Sequence, residues 1–337
     1  MFSLVPKLTI STLCFGLIQC SLVLGYLEPK KTFCTYPKSN PNTGLSGMVW
    51  ISSGKFLKGD TIYPEESPVY QTSVSGFWMD ETEITNDEFS KFVFETGYKT
   101  EAERQWSPSS PKETKNEFFE PGAIVFQQPA GDSTNKSPLE WWRYIPYANW
   151  RHPEGSQSNI EGKGSYPVVA VTYEDALMYA KWKGHSLPTE TEWEWAASGR
   201  VEGGAPNDLV TIEANTWQGE FPFVDEGKDG FWGISPVGCY AKNKFGLYDM
   251  IGNVWEYTAD PWKFVETNDK SKYHTIKGGS YLCSPNYCKR YRAAAKQPQE
   301  DHLATGHIGF RTILRTHFDE IRKFTKEKNE IKPDSIH

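Results

Sequence analysis

Aromatic rings and turn-forming residues crowd the same stretches of this chain. That coincidence limits its fold more than any periodic pattern does. Thirteen Trp, 17 Tyr and 19 Phe are interleaved with 28 Gly and 22 Pro over 337 residues. Large rings bury much apolar area per residue, whereas Gly and Pro end helices and strands early. Such a chain builds a loop-rich core anchored by rings, not a coiled coil, a collagen-like rod or a disordered polymer. The net charge of −7 argues against a general polyanion binder, so nucleic acid is not an expected partner.

The N-terminus reads as an address. Lys7 precedes an apolar stretch over 8–25, so residues 1–25 are expected to be a signal peptide cut after Gly25. At about 18 residues the stretch is also near the lower limit for an uncleaved anchor. No later apolar run approaches the roughly 20 residues needed to span a bilayer, so an exported chain without stable membrane insertion is expected. Residues 26–46 read as a polar linker, 47–314 as one domain and 315–337 as a charged tail. Alternation over 74–80 predicts a strand. Thr85 with Glu88, and Thr172 with Asp175, predict capped helices, and a third helix is expected over 188–197. Three modest helices among short strand-like pieces give a single α+β domain.

Of six cysteines, Cys14 and Cys20 leave with the signal. The remaining four are too few for a disulfide scaffold. Cys283 and Cys288 flank a Ser-Pro-Asn-Tyr turn, which suits either a structural disulfide or two thiolates holding Cu(I). A four-thiolate zinc site would need Cys34 and Cys239 to converge on them. Arg290 and Arg292 follow closely and favour thiolate forms, or make ordinary salt bridges. Short polar side chains beside Gly over 215–220, 229–231 and 246–256 suit Ca²⁺, although no EF-hand spacing is present and turn formation is the plain alternative. The seven histidines form no HExxH, and no GxSxG elbow, P-loop or GxGxxG occurs.

Segments 76–86 (GFWMDETEITN), 148–155 (ANWRHPEG), 187–194 (LPTETEWE), 215–222 (NTWQGEFP), 246–256 (GLYDMIGNVWE), 278–292 (GGSYLCSPNYCKRYR) and 307–311 (HIGFR) follow one another in this order. Together, over 47–313, they resemble the formylglycine-generating enzyme family, the sulfatase-modifying factors. The resemblance implies a loop-rich α+β fold related to C-type lectins. It implies aerobic oxidation of a cysteine in the CxPxR motif of an unfolded sulfatase to Cα-formylglycine, with O₂ as co-substrate. Cys283 and Cys288 would hold Cu(I), the substrate thiolate would add as a third ligand, and the resulting thioaldehyde would hydrolyse. Ser280 would be a polar group beside the pocket, Trp255 a wall, and His307 would sit near the cleft. Two structural calcium sites are implied: Asn215, Thr216, Asp229 and Phe231, then Asp249, Gly252, Val254 and Glu256. Thr216, Phe231, Gly252 and Val254 would contribute backbone carbonyls. A monomer acting on sulfatase-type peptides is expected.

Departures from the eukaryotic pattern favour a bacterial-type member, hence a periplasmic or secreted enzyme rather than one in an ER lumen. His307 stands where eukaryotic members have Asn. The two long-range disulfides of that pattern fall at Ala180 with Thr312 and Ala197 with Ala293. His185-Ser186 replaces a basic pair, and an aromatic-Pro-Trp-Gly segment is missing between 200 and 215. Two other functions remain open. One is a non-catalytic paralogue binding sulfatase-like peptides, with Cys283–Cys288 a disulfide. The other is a family oxidase acting on a non-sulfatase substrate. The silent paralogue of the family lacks the cysteine pair, and its iron-dependent sulfoxide synthases need a histidine triad that is not found here.

Overall fold

Three helices form where local capping dictates. α1 (Asn86–Thr96) starts at Thr85, whose hydroxyl accepts from the Glu88 amide while Glu88 returns to the Thr85 amide; Gly97, in the left-handed region, ends it. α2 (Tyr173–Lys183) repeats this with Thr172, Asp175 and Gly184. α3 (Glu190–Ser198) is opened by the same reciprocal pair, Thr189 and Glu192. The apolar face of α1 packs Phe89 against Trp150, Tyr179 and Phe310. These elements belong to a computed structural model that describes Cys34, Leu45 and residues 47–104, 120–129, 137, 140–198, 214–263 and 272–315. The expected signal peptide, nearly all of the linker, the segment 200–213 and the tail beyond Arg315 lie outside the described residues.

The strands are short. They are β1 (Met48–Ile51), β2 (Gly54–Lys58), β3 (Tyr70–Val74), β4 (Phe77–Asp80), β5 (Gly122–Phe126), β6 (Trp142–Pro146), β7 (Trp255–Pro261), β8 (Tyr273–Lys277), β9 (Lys296–Glu300), β10 (Ile308–Gly309) and β11 (Ile313–Leu314). They pair as β1-β4-β11, β10-β7-β8-β9, β2-β3 and β5-β6. Only the β10–β7 pairing among these ladders is parallel. The strand expected over 74–80 is broken: Val74 ends β3 and Phe77 begins β4. The Trp50 ring lies so close over Gly76 that a Cβ there would sit 2.3 Å from it. The apolar alternation thus continues through a turn that only glycine permits. The architecture is α+β and loop-rich, as expected.

Cys34 and Cys239 do converge, but on each other as a disulfide, so they add no thiolate to Cys283 and Cys288 and the four-sulfur zinc option closes. Thr312, which the resemblance pairs with Ala180 at a disulfide position, instead carries a polar relay. Its hydroxyl donates to Asp80 Oδ2 at 2.5 Å and receives His185 Nδ1 at 2.7 Å, and the His185 amide donates to the Ala180 carbonyl.

One buried ion pair ties the sheets together. Arg311 is fully buried; its Nε and Nη2 bond Glu256 at 2.8 and 2.7 Å. Its remaining donors reach the carbonyls of Asp80, Glu81 and Tyr248. Trp193 Nε1 completes the Glu256 shell at 2.7 Å. Removing one partner of such a pair strands the other charge without solvent. Arg311→Met is therefore expected to lower stability by about 3–5 kcal/mol, read as a shifted midpoint in urea unfolding with an unchanged slope.

Candidate functional site

The sulfur loop is built by turns that leave little freedom. After β8 the chain passes Gly278 and Gly279, at φ 96° and 75°. A Cβ on Gly279 would lie 2.9 Å from the Tyr291 side chain, so glycine permits the close passage. The Cys283 amide then bonds the Ser280 carbonyl, and the Cys288 amide bonds the Ser284 carbonyl at 3.0 Å. These two turns fold the five-residue separation back on itself. Cys283 and Cys288 remain free thiols, with Sγ atoms 3.0 Å apart and exposures of 1% and 7%.

The pair is asymmetric. Burial pushes the Cys283 thiol well up, and its bond to Cys288 adds to this. The hydrogen bond from Cys283, aided by Arg290, holds Cys288 below the usual thiol range despite its burial. Arg290 is itself held by Glu65, at 3.0 and 2.7 Å, and by the Tyr63 ring at 4.0 Å.

Both sulfurs line a cavity of about 390 Å³, together with Ser280, Trp255 and His307. All five residues singled out for catalysis thus meet in one place. Ser280 is fully buried and its oxygen accepts from the Leu282 amide at 3.3 Å. The His307 ring lies 4.6 Å from Trp142, and its Nδ1 has no hydrogen-bond partner among the described residues. Enclosure by protein pushes the imidazole down to about 3, so it is neutral at physiological pH. Sequence reasoning missed Trp142, Tyr287, Gln297 and Gln299, which also line the cavity. Tyr287 stacks on Phe221 at 4.2 Å. The amide pair on β9 shows only as two glutamines spaced to share one strand face.

The oxygen-rich loops lie directly behind this cavity. Asn215 and Gly252 form a backbone bridge so close that a Cβ on Gly252 would sit 2.0 Å from the Asn215 carbonyl oxygen. The Asn253 carbonyl accepts the Tyr281 amide, and the Gly278 carbonyl accepts the Gly252 amide. Asp229 joins Thr216 and Phe231 by accepting both amides, at 3.0 and 3.1 Å, and burial pushes it up to about 6. Asn215 directs its amide to Gly233 and Asn253.

In the second group Asp249 and Asn253 hold left-handed backbone, with Gly252 between them. Val254 follows, fully buried. Glu256 spends its oxygens on Arg311 and Trp193, whereas Asp249 Oδ1 and Glu83 Oε2 are buried with no donor. Burial pushes Asp249 up to about 6 and Glu83 well up. Two such neighbouring oxygens call for a shared proton or a cation, and Glu83 was not among the expected ligands. Among the described residues no three His, Cys, Asp or Glu side chains gather into a metal cluster. The two facing sulfurs fit a soft ion of low coordination. The carbonyl-rich loops with orphaned carboxylate oxygens fit Ca²⁺.

The family described as "Sulfatase-modifying factor enzyme 1-like domain" matches residues 34–316. The chain is 41% identical over 292 residues to the formylglycine-generating enzyme of Mycobacterium tuberculosis, covering 80% of this chain and 98% of the relative. It is also 34% identical over 281 residues to the "Inactive C-alpha-formylglycine-generating enzyme 2" of Bos taurus, covering 78% and 86% of the two chains. Among solved structures, PvdO from Pseudomonas aeruginosa superposes with a TM-score of 0.55 at 20% identity, over 84% of this chain and all of its own, and so shares the fold.

The depressed His307 pKa carries a sign. The unfolded chain takes up this proton near pH 6.5 and the folded one only near 3, so stability falls as pH drops from about 6.5. His307→Gln is expected to flatten that part of the decline between pH 7 and 4, as measured by urea unfolding at each pH.

Proposed function

Because the chain belongs to the sulfatase-modifying factor enzyme 1-like family, we propose that it is a formylglycine-generating oxidase that converts the cysteine of a CxPxR motif in an unfolded sulfatase to Cα-formylglycine with O₂. A relative matched over 80% of this chain carries the enzyme's name, whereas one matched over 78% is named inactive, so the discriminating support comes from the site. That support is one observation: two reduced, facing sulfurs at the wall of a cavity able to admit a peptide side chain. Cu(I) held by Cys283 and Cys288 would supply affinity for a third thiolate and one-electron chemistry toward O₂.

The chain's own groups do the rest. The Ser280–Cys283 and Ser284–Cys288 turns fix where the sulfurs point. Trp142, Trp255 and Tyr287 wall the cavity and limit water around the incoming cysteine. The neutral His307 ring forms an uncharged part of the cavity wall, and Ser280 lines the same cavity as the sulfurs. Asn215, Thr216, Asp229 and Phe231 act as one structural Ca²⁺ site behind the sulfur loop; at the second, Asp249 and Glu83 with the Gly252 and Val254 carbonyls would hold the ion, because Glu256, the expected ligand, is committed to Arg311 and Trp193. The Cys34–Cys239 disulfide supports export to an oxidising compartment, as does the apolar stretch over 8–25. No helix among the described residues is long and apolar enough to cross a membrane.

A CxPxR peptide incubated with Cu(I)-loaded protein and O₂ is expected to yield an aldehyde captured by hydrazine. Cys283→Ser and Cys288→Ser should each lose at least about a hundredfold in rate, the upper range for disturbing a metal shell. Aldehyde formation undiminished in both serine variants would contradict the assignment. At each site, calcium at a hundredfold its Kd is expected to add about 2.7 kcal/mol of stability, and Asp249→Asn to remove most of the second site's share in calorimetry.

A further inference from the structure

Gln297 lies outside the cysteine motif, nine residues past Cys288 on β9, yet its Nε2 reaches Cys288 Sγ at 3.8 Å, a distance at which a large, diffuse sulfur still accepts an N–H. We propose that Gln297 is a positioning residue for Cys288: its uncharged amide donates to the sulfur and keeps it turned toward the cavity. This rests on the reading of Cys288 as a metal-binding thiolate.

Three observations carry it. Gln297 and Cys288 both line the cavity, so the contact is made at the reacting surface and not behind it. Donor and acceptor are also aligned by the same strand. Gln297 pairs with Ile276 in the β8–β9 ladder, and β8 runs directly into the Gly278-Gly279 passage that delivers the cysteines. The distance between them is therefore set by a ladder and two tight turns rather than by a mobile loop. Finally, the charged neighbour Arg290 divides its guanidinium between Glu65 and Cys288, and Gln297 adds a second, uncharged donor to the same sulfur. A neutral amide can orient a thiolate without neutralising it. Hydrogen bonds to ligating sulfur tune metal sites in this way.

The role is tested with Gln297→Met, which keeps the bulk and loses the donor, and Gln297→Asn, which retracts the donor by one methylene. Reduced full-length protein is titrated with Cu(I) in competition with bicinchoninate. The thiolate-to-copper ultraviolet band and the thermal midpoint are recorded on the same samples. Both variants are expected to keep the wild-type midpoint, to bind Cu(I) about tenfold more weakly, and to show the band at longer wavelength, because the sulfur lone pairs lose a stabilising donor. A weaker affinity with an unmoved band would mean a merely structural effect and would overturn the proposal, as would wild-type values in both variants. If the wild-type protein itself takes up no Cu(I), the copper reading falls and this role with it. If it binds and the variants match it, only the role of Gln297 falls.

Discussion

The site depends on a buried charge pair that never touches it. Glu256 follows Trp255 on β7, and Arg311 lies four residues after His307, just past β10. β7 and β10 run side by side in parallel with Ile308 opposite Trp255, and the Trp255 amide bonds the His307 carbonyl. The Arg311–Glu256 pair therefore locks the register that sets one cavity wall against the other. Its remaining donors collect carbonyls from Asp80, Glu81 and Tyr248, so distant loops are bound to the same point. In a fold with few long elements, a desolvated charge that only one arrangement satisfies is an effective way to specify that arrangement.

A similar logic links the sulfur loop to the oxygen-rich loops. Backbone bonds from Tyr281 to Asn253, from Gly252 to Gly278 and from Trp217 to Cys283 join the three segments. Left-handed backbone at Asp249 and Asn253 is retained because Asn253 is bound on several sides, by Glu83, Asn215 and Ser235. Ions bound behind the cavity would stiffen the very strands and turns that aim the cysteines. Cation binding would thus be mechanically coupled to sulfur geometry without sharing a ligand.

What could be read from the chain follows the range of each interaction. All three helices were legible because capping boxes are local: Thr85 with Glu88 and Thr172 with Asp175 declare their own termini. The cysteine pair was legible because five residues and a turn bring the sulfurs together. Ser280, Trp255 and His307 were placed by resemblance, and the structure brings them to the same cavity. The β3–β4 break at Gly76 was hidden because alternation carries no information about what another segment's ring does to the backbone. Gln297, Glu83 and Trp142 were hidden for a related reason. Their partners are set by strand register and by chain segments far away in sequence. Nor does spacing disclose that Cys34 reaches across 205 residues to Cys239.

In the proposed reaction, two sulfurs of this chain hold one copper ion and leave room for a third from the substrate. X-ray absorption at the copper edge of the loaded, reduced protein tests this most directly. The account predicts a Cu(I) edge with only sulfur neighbours, their number rising from two to three when a CxPxR peptide is added. Nitrogen or oxygen scatterers in place of sulfur, or a sulfur count that the peptide does not change, would contradict it.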